Sequence, residues 1–270
     1  GAEALAAVGT ASLILSVIVN FFIGFSAGLS VLVSHLYGEK QYARLSALVQ
    51  SIFVTVLAFA VLFTAAGILL TEQLLTALST PAELIPQASL YLRIALGGML
   101  AQLLYNTASA ILRALGNTTS ALHYLAAAVV LNIVLDVLLL FVIPCGIAGA
   151  AMAIVAAQYV SALVALHKLL YLRGAWQLRL HRPFFTPRHL LPILGTSIPA
   201  GLQAVFMSIS SLVIQTYINS FGYAAMAGMT VYARIEGFLY YPLFAFGIAL
   251  TSFIGQNVGA HDLVRVRAGL

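Results

Sequence analysis

Two polar residues interrupt an apolar stretch at residues 131–144. Asn132 and Asp136 are four positions apart, so on a helix they share one face. An ionised aspartate inside a bilayer costs at least about 2.5–3.5 kcal/mol unless it faces a cavity, finds a partner or takes a proton. The amide of Asn132 can donate to the carboxylate or help it to ligate a cation. A cation site and a structural contact that ties helices together are the two interpretations.

Glu236 is a second acid within an apolar stretch, and the aromatic run FLYYP follows it at 238–242. A carboxylate close to Tyr240 and Tyr241 suits a lipophilic cation, because charge and the aromatic faces both attract it. The alternative is an interhelical ion pair, for which Arg93 is the candidate partner. The acid and Tyr240 are therefore candidate ligand-binding residues.

Three other polar residues lie in apolar stretches and are candidates to line a cavity: Gln203, Asn106 and Tyr105. Interhelical hydrogen bonds are the alternative for each of them. The sequence contains no HExxH motif, no Cys/His cluster and no GxxxxGK[ST] motif. We therefore expect no catalytic residues, no cofactor and no metal centre, apart from Na+ at Asp136 as a possible coupling ion, and no ATP-driven step.

The composition indicates that these residues belong to a membrane protein. The chain is 62% hydrophobic and only 7% charged, whereas a soluble domain carries about 25% charged residues. Its main solvent is therefore the lipid bilayer. Stretches long enough to span it lie at 8–36, 43–70, 85–112, 120–143, 146–168, 190–218 and 223–254. The sequence predicts an all-α polytopic membrane protein with about seven transmembrane helices.

The basic residues give these helices an orientation. Of the twelve Lys and Arg residues, only Arg93 and Arg234 fall well inside predicted spans, since Arg44 and Lys168 stand at span ends. The others lie in alternate loops, and short loops rich in Lys and Arg stay cytoplasmic. We therefore expect residue 1 outside and the basic segment 169–189 inside, as a solvated linker or in contact with anionic lipid headgroups. This pattern accounts for the net charge of +5 without a nucleic-acid partner.

The sequence also contains an internal repeat. Shifted by 221 positions, residues 1–49 fall without a gap on residues 222–270. The positions that meet identical residues are Gly1, Ala4, Ala6, Ile14, Phe25, Leu29, Gly38, Arg44 and Ala47. Both copies end at a basic loop, so they run in the same direction across the membrane. Such a repeat is related by an axis along the membrane normal, as in some transporters.

The order and spacing of several motifs resemble those of the multidrug and toxic compound extrusion transporters, within the multidrug/oligosaccharidyl-lipid/polysaccharide flippase superfamily. The motifs are YLRIAL (91–96), ILRALGN (111–117), LNIVLD (131–136), GIAGAAMA (146–153), ARIEGFLYYP (233–242) and GQNVGAHD (255–262). The resemblance covers the whole chain and corresponds to about the second through eighth of twelve family helices. It implies an N-terminal lobe at 1–168 without its first helix, a cytoplasmic linker at 169–189, and the beginning of a C-terminal lobe at 190–270.

The resemblance also implies a function. The family exports amphipathic, often cationic compounds in exchange for H+ or Na+, and its N-lobe cation site matches Asn132 and Asp136. We expect a monomer in the plasma membrane, the bacterial inner membrane, with small lipophilic cations as substrates. A lipid-linked oligosaccharide or polysaccharide flippase is one alternative, although such a protein would be expected to line its cavity with several arginines. An integral-membrane enzyme or receptor is another.

Overall fold

The computed structural model describes residues 2–78, 80–143, 145–171 and 185–269, and these residues are almost entirely helical. Seven of the helical segments are long and apolar enough to cross a membrane, so the predicted all-α membrane fold is confirmed. The helices are α1 (Ala2–Gly38), α2 (Tyr42–Leu69), α3 (Thr71–Ala77), α4 (Ile85–Gly97), α5 (Met99–Ala114), α6 (Thr118–Val137), α7 (Gly146–Tyr171), α8 (Leu190–Ser220), α9 (Tyr223–Gly259) and α10 (Leu263–Gly269). A π-helix, Leu138–Val142, continues α6, and a 3-10 turn, Pro187–His189, leads into α8.

The third span is broken, although the sequence predicts one continuous helix there. α4 ends at Gly97 and α5 begins after Gly98. A carbonyl freed by such a break must find another donor, and the hydroxyl of Tyr159 on α7 donates to Gly97 O at 3.0 Å. A Cβ on Gly98 would lie 2.6 Å from Oε1 of Gln158. Glycine is therefore needed at the break because α7 packs directly against it.

α1 lies at the centre of the helical packing. It contacts α8 and α9 as well as α4 and α5, and Phe22, Phe25 and Leu29 on it are fully buried. Gly24 and Gly28 let α8 approach: a Cβ at either position would strike a backbone carbonyl oxygen of α8. The GxxxG spacing thus gives close helix packing. The segment 24–28 also matches GxSxG, but it lies inside a helix and not at the strand-to-helix turn of a hydrolase.

The predicted linker 169–189 falls largely on residues 172–184, which lie outside the described residues. The described chain resumes at residue 185, next to α2. Ser51 Oγ accepts the N–H of Thr186 at 3.2 Å and lies 3.0 Å from His189 Nδ1. One buried hydroxyl of α2 therefore holds the chain where it enters α8.

The ends of α1 and α9 form the same turn. Lys40 and His261, 221 positions apart, both have a φ of 58°. Each donates its N–H to the carbonyl three residues back, at 3.1 and 3.0 Å, and the residue after each donates to the carbonyl five residues back, at 3.2 and 2.9 Å. This is the Schellman pattern of helix ends. The same backbone hydrogen bonds therefore end both helices, as the predicted parallel repeat requires.

The two copies of the repeat also pack against each other at these ends. We call this contact the α1–α9 seam; it comprises Gly255 against Ser34, Gly38 against Gln256, and Gly259 against His35. The pairs 34 and 255, 35 and 256, and 38 and 259 are all related by the offset of 221. The seam is thus symmetric, with a pseudo-two-fold axis running between two parallel helices. A Cβ at any of its three glycines would strike the opposite helix.

Candidate functional site

Two of the predicted site residues line one cavity, which we call the α5–α7 cavity. It has a volume of about 170 Å³ and lies between α5, α6 and α7. Asn132 projects into it from α6 and Tyr105 from α5. Three polar side chains that the sequence analysis did not select share this cavity: Gln102, Gln158 and Ser161. Glutamines inside apolar spans are the feature of the sequence that could have identified the first two.

Two polar atoms at this cavity are buried without a hydrogen-bond partner in the described part of the chain. They are Nδ2 of Asn132, a donor, and Oε1 of Gln158, an acceptor. Leaving such an atom unpaired costs about 1–3 kcal/mol. A ligand that both accepts and donates, such as water or a hydrated cation, would satisfy the pair. The cavity is therefore suited to a small polar ligand.

Asp136 is half-buried one helical turn from Asn132, and it does not line the α5–α7 cavity. Its carboxylate lies within electrostatic range of Tyr91, which is buried on α4. Asp136 is six residues, or about 9 Å, from the end of the helical segment at Val142. The acid therefore lies towards one end of the span, next to the π-helix. π-Helical turns occur frequently at functional sites.

The neighbouring residues Tyr105 and Asn106 have different environments. The hydroxyl of Tyr105 donates to Ala121 O at 3.4 Å and so links α5 to α6. Nδ2 of Asn106 is buried without a hydrogen-bond partner among the described residues, but Asn106 does not line the α5–α7 cavity. Tyr105 thus combines an interhelical hydrogen bond with a position on the cavity wall.

The structure does not bring Gln203 or Glu236 to this cavity. Gln203 is exposed on α8, and Glu236 is exposed on α9 one turn before Tyr240. Arg93 pairs with Glu72 at 2.8 Å, so the structure does not contain the ion pair between Arg93 and Glu236 that the sequence left open. In the described part of the chain no three His, Cys, Asp or Glu side chains lie close enough to hold a metal ion together.

Tyr240 lines a second and larger cavity, which we call the axial cavity. Its volume is about 460 Å³ and its walls come from α1, the end of α5 and α9. Its lining residues are Ile23, Ala27, Ser30, Arg113, Tyr240, Leu243, Phe244, Gly247, Ile248, Thr251 and Ser252. The predicted third span ends at residue 112, which left Arg113 in a loop. α5 continues to Ala114, and this places Arg113 in the last helical turn, on the cavity wall.

The chain is similar to known transport proteins over nearly its whole length. The MatE family profile matches residues 1–138 and 199–269. The probable multidrug resistance protein YpnP of Bacillus subtilis (strain 168) is 33% identical over 98% of this chain and 59% of its own length. The probable multidrug resistance protein YoeA of the same strain is 28% identical over 99% of this chain and 59% of its own length.

A solved structure has the same fold. The crystal structure of MATE in the bent conformation superposes with a TM-score of 0.92 at 23% sequence identity, covering 99% of this chain and 60% of that one. The chain thus spans about three-fifths of the length of the proteins that it matches.

Proposed function

This chain belongs to the MatE family, and on that premise we propose that the protein exports lipophilic, often cationic compounds in exchange for H+ or Na+. The relatives that the chain matches are named as multidrug resistance proteins, which supports a transporter rather than the enzyme or receptor alternative. We place the protein, as a monomer, in the bacterial inner membrane. Its exposed apolar helix faces are suited to lipid.

The observation that supports ion coupling is the grouping of polar residues around α6. Asp136 is the acid, and Asn132 lies one turn away with an amide nitrogen that has no partner among the described residues at the α5–α7 cavity. Gln158 offers an unsatisfied carbonyl oxygen on the opposite wall. Carboxylate and amide oxygens are hard ligands of the kind that Na+ would prefer, and the carboxylate alone can take a proton. The carboxylate of Asp136 could therefore serve either coupling ion.

Coupling requires the acid to have different surroundings in the two conformations of the transporter. A ligand shifts a conformational equilibrium only by its differential affinity for the two states. Loading Asp136 with H+ or Na+ removes a charge from an apolar region, and this favours the conformation in which the acid is more buried. The electrostatic interaction of Asp136 with Tyr91 of α4 would then change when α4 and α6 move relative to each other. Asn132 assists this step but does not carry the charge.

The substrate surface is proposed to include Tyr240, Glu236 and the polar residues Gln203, Asn106 and Tyr105. Tyr240 stacks on Phe244, with ring centroids 6.0 Å apart at 21°, and offers an aromatic surface to a flat or lipophilic molecule. Glu236 lies one turn away on the exposed face of α9. Its charge would attract cationic substrates towards that face, and this predicts a preference for cations over neutral compounds.

The proposal is tested by measuring drug efflux from proteoliposomes with an imposed H+ or Na+ gradient. The measurement uses the whole protein that the gene encodes. Asp136→Asn mimics the neutral form permanently. We expect this variant to insert and bind substrate but to lose its response to the gradient. Asn132→Ala should weaken coupling less. Glu83→Gln is the matched control, because Glu83 is an exposed acid in a turn. Gradient-dependent efflux at the parental rate by Asp136→Asn would show that Asp136 is only a structural contact.

A further inference from the structure

The axial cavity lies on the pseudo-two-fold axis of the repeat. Three of its lining residues on α1 are related by the offset of 221 to three on α9: positions 23 and 244, 27 and 248, and 30 and 251. The next related positions along the helices, 34 and 255, belong to the α1–α9 seam. The seam therefore follows the cavity directly along the two helices, on the side that the charge pattern assigns to the cytoplasm.

Among the described residues, Arg113 is the only charged one that lines this cavity. Its guanidinium group has no hydrogen bond and no ion pair within the described residues. The described acids do not reach it: Glu39 pairs with His35, Glu72 pairs with Arg93, and the carboxylate of Asp262 accepts the N–H of Arg265. The remaining described acids, Glu83, Asp136 and Glu236, do not line the cavity either.

The usual role of an arginine in a last helical turn is already filled by other groups. Such residues often bond the terminal carbonyls of the helix. Here the carbonyls of the last four residues of α5 accept from the N–H groups of Leu115, Asn117 and Gly116 and from Nε2 of Gln256 at 2.7 Å. The five N–H donors of Arg113 are thus not needed to cap α5, and its charge remains available to the cavity.

The rest of the cavity surface is apolar and aromatic, with a few hydroxyl groups. Tyr240 and Phe244 form a stacked wall on α9. Ser30 and Thr251, which occupy related positions in the two repeat copies, both line the cavity. A guanidinium group binds carboxylates and phosphates in a bidentate manner, and an aromatic wall holds a hydrocarbon chain or a flat ring. The surface therefore combines one anion-binding group with a lipophilic surface.

We propose that the axial cavity binds the anionic headgroup of an amphiphile, a phosphate or carboxylate, with the headgroup at Arg113 and the apolar part against Tyr240 and Phe244. This goes beyond the proposed export of cations, and it concerns different residues from the coupling site around Asp136. The headgroup could come from a membrane phospholipid or from a soluble amphiphilic anion. The site would hold it next to the α1–α9 seam.

Binding of decyl phosphate to the purified protein in phosphatidylcholine nanodiscs tests the proposal, with empty nanodiscs subtracted. We expect Arg113→Gln to weaken binding by about tenfold or more, as loss of a charge-assisted bidentate contact does. Arg113→Lys should lose less. Arg93→Gln is the matched control, because Arg93 pairs with Glu72 away from the cavity, and its binding should equal that of the parent. Inorganic phosphate, which lacks an apolar part, should compete only weakly.

Two results would overturn the proposal: Arg113→Gln binding decyl phosphate as tightly as the parent, or decyltrimethylammonium displacing bound decyl phosphate from the parent as effectively as a second alkyl phosphate does. The second comparison uses the unaltered protein, so it decides the question even if Arg113→Gln fails to fold. Nanodiscs that also contain phosphatidylglycerol distinguish the two sources. Loss of decyl phosphate binding there identifies a phospholipid as the occupant, and retained binding identifies a soluble anion. Neither readout depends on efflux, so the proposed transport function stands or fails separately.

Discussion

An exchange of two residues across the α1–α9 seam tests whether the repeat packs symmetrically. Ser34 and Gly255 face each other there, and a Cβ on Gly255 would lie 2.9 Å from the Cβ of Ser34 and strike its hydroxyl oxygen. Carbon atoms in ordinary contact are about 3.5–4.0 Å apart. Gly255→Ser alone must therefore push α1 and α9 apart, and overpacking of this kind costs about 1–3 kcal/mol of unfolding free energy.

The reverse change has a smaller and different cost. Ser34 is fully buried and its hydroxyl donates to Val31 O at 3.0 Å within its own helix. Ser34→Gly leaves no donor unpaired, but it places a glycine inside a helix and opens a small void, at a cost of about 0.5–1 kcal/mol. If the two positions were independent, the double variant would lose about 1.5–4 kcal/mol.

We expect the double variant Ser34→Gly/Gly255→Ser to lose only about 0.5–1 kcal/mol, because the new side chain at 255 fills the space vacated at 34. The coupling energy in the cycle would then be about 1–3 kcal/mol in favour of the double variant. Unfolding in lipid bicelles, followed by steric trapping, measures the four free energies. Gly228→Ser is the control, since nothing lies within 4 Å of a Cβ there. Additive losses in the double variant would refute the paired packing of residues 34 and 255.

Four further predictions follow from particular contacts. Gly98→Ala should cost about 1–3 kcal/mol of unfolding free energy, because its Cβ meets the stiff, branched side chain of Val155 at 2.8 Å. Gly97→Ala, with open space around it, should change it by less than about 1 kcal/mol, and equal losses would contradict the close approach of α7. Ser51→Ala should cost about 1–3 kcal/mol in the same measurement, since it removes the acceptor for the Thr186 N–H, and an unchanged stability would show that this anchor is not needed. In a Cys145→Ser background, an impermeant thiol reagent should label Thr76→Cys but not Leu180→Cys in intact cells, and the reverse labelling would invert the topology. Glu236→Gln should reduce affinity for cationic substrates more than for neutral ones, as competition binding would show, and equal reductions would remove Glu236 from the charge-selective surface.

Features that depend on local composition could be predicted from the sequence alone. The apolar stretches required seven membrane helices, since a chain with so few charged residues cannot cover a core in water. The offset of 221 predicted a parallel repeat, and the matching turns at Lys40 and His261 confirm it. The spacing of four between Asn132 and Asp136 placed both on one face of α6. Each of these conclusions requires only helical geometry or the free energy of transfer into lipid.

Only the tertiary structure determines the contacts between helices that are distant in the sequence. The break at Gly98 reflects the approach of Gln158 and Tyr159 from α7, and nothing in the sequence around 98 specifies it beyond two adjacent glycines. The partner of Arg93 is Glu72, which a list of intramembrane acids does not include. Arg113 reaches the axial cavity only because α1 and α9 pack on either side of the end of α5. A cavity is the space that several packed helices leave between them, so its residues cannot be selected from any one helix.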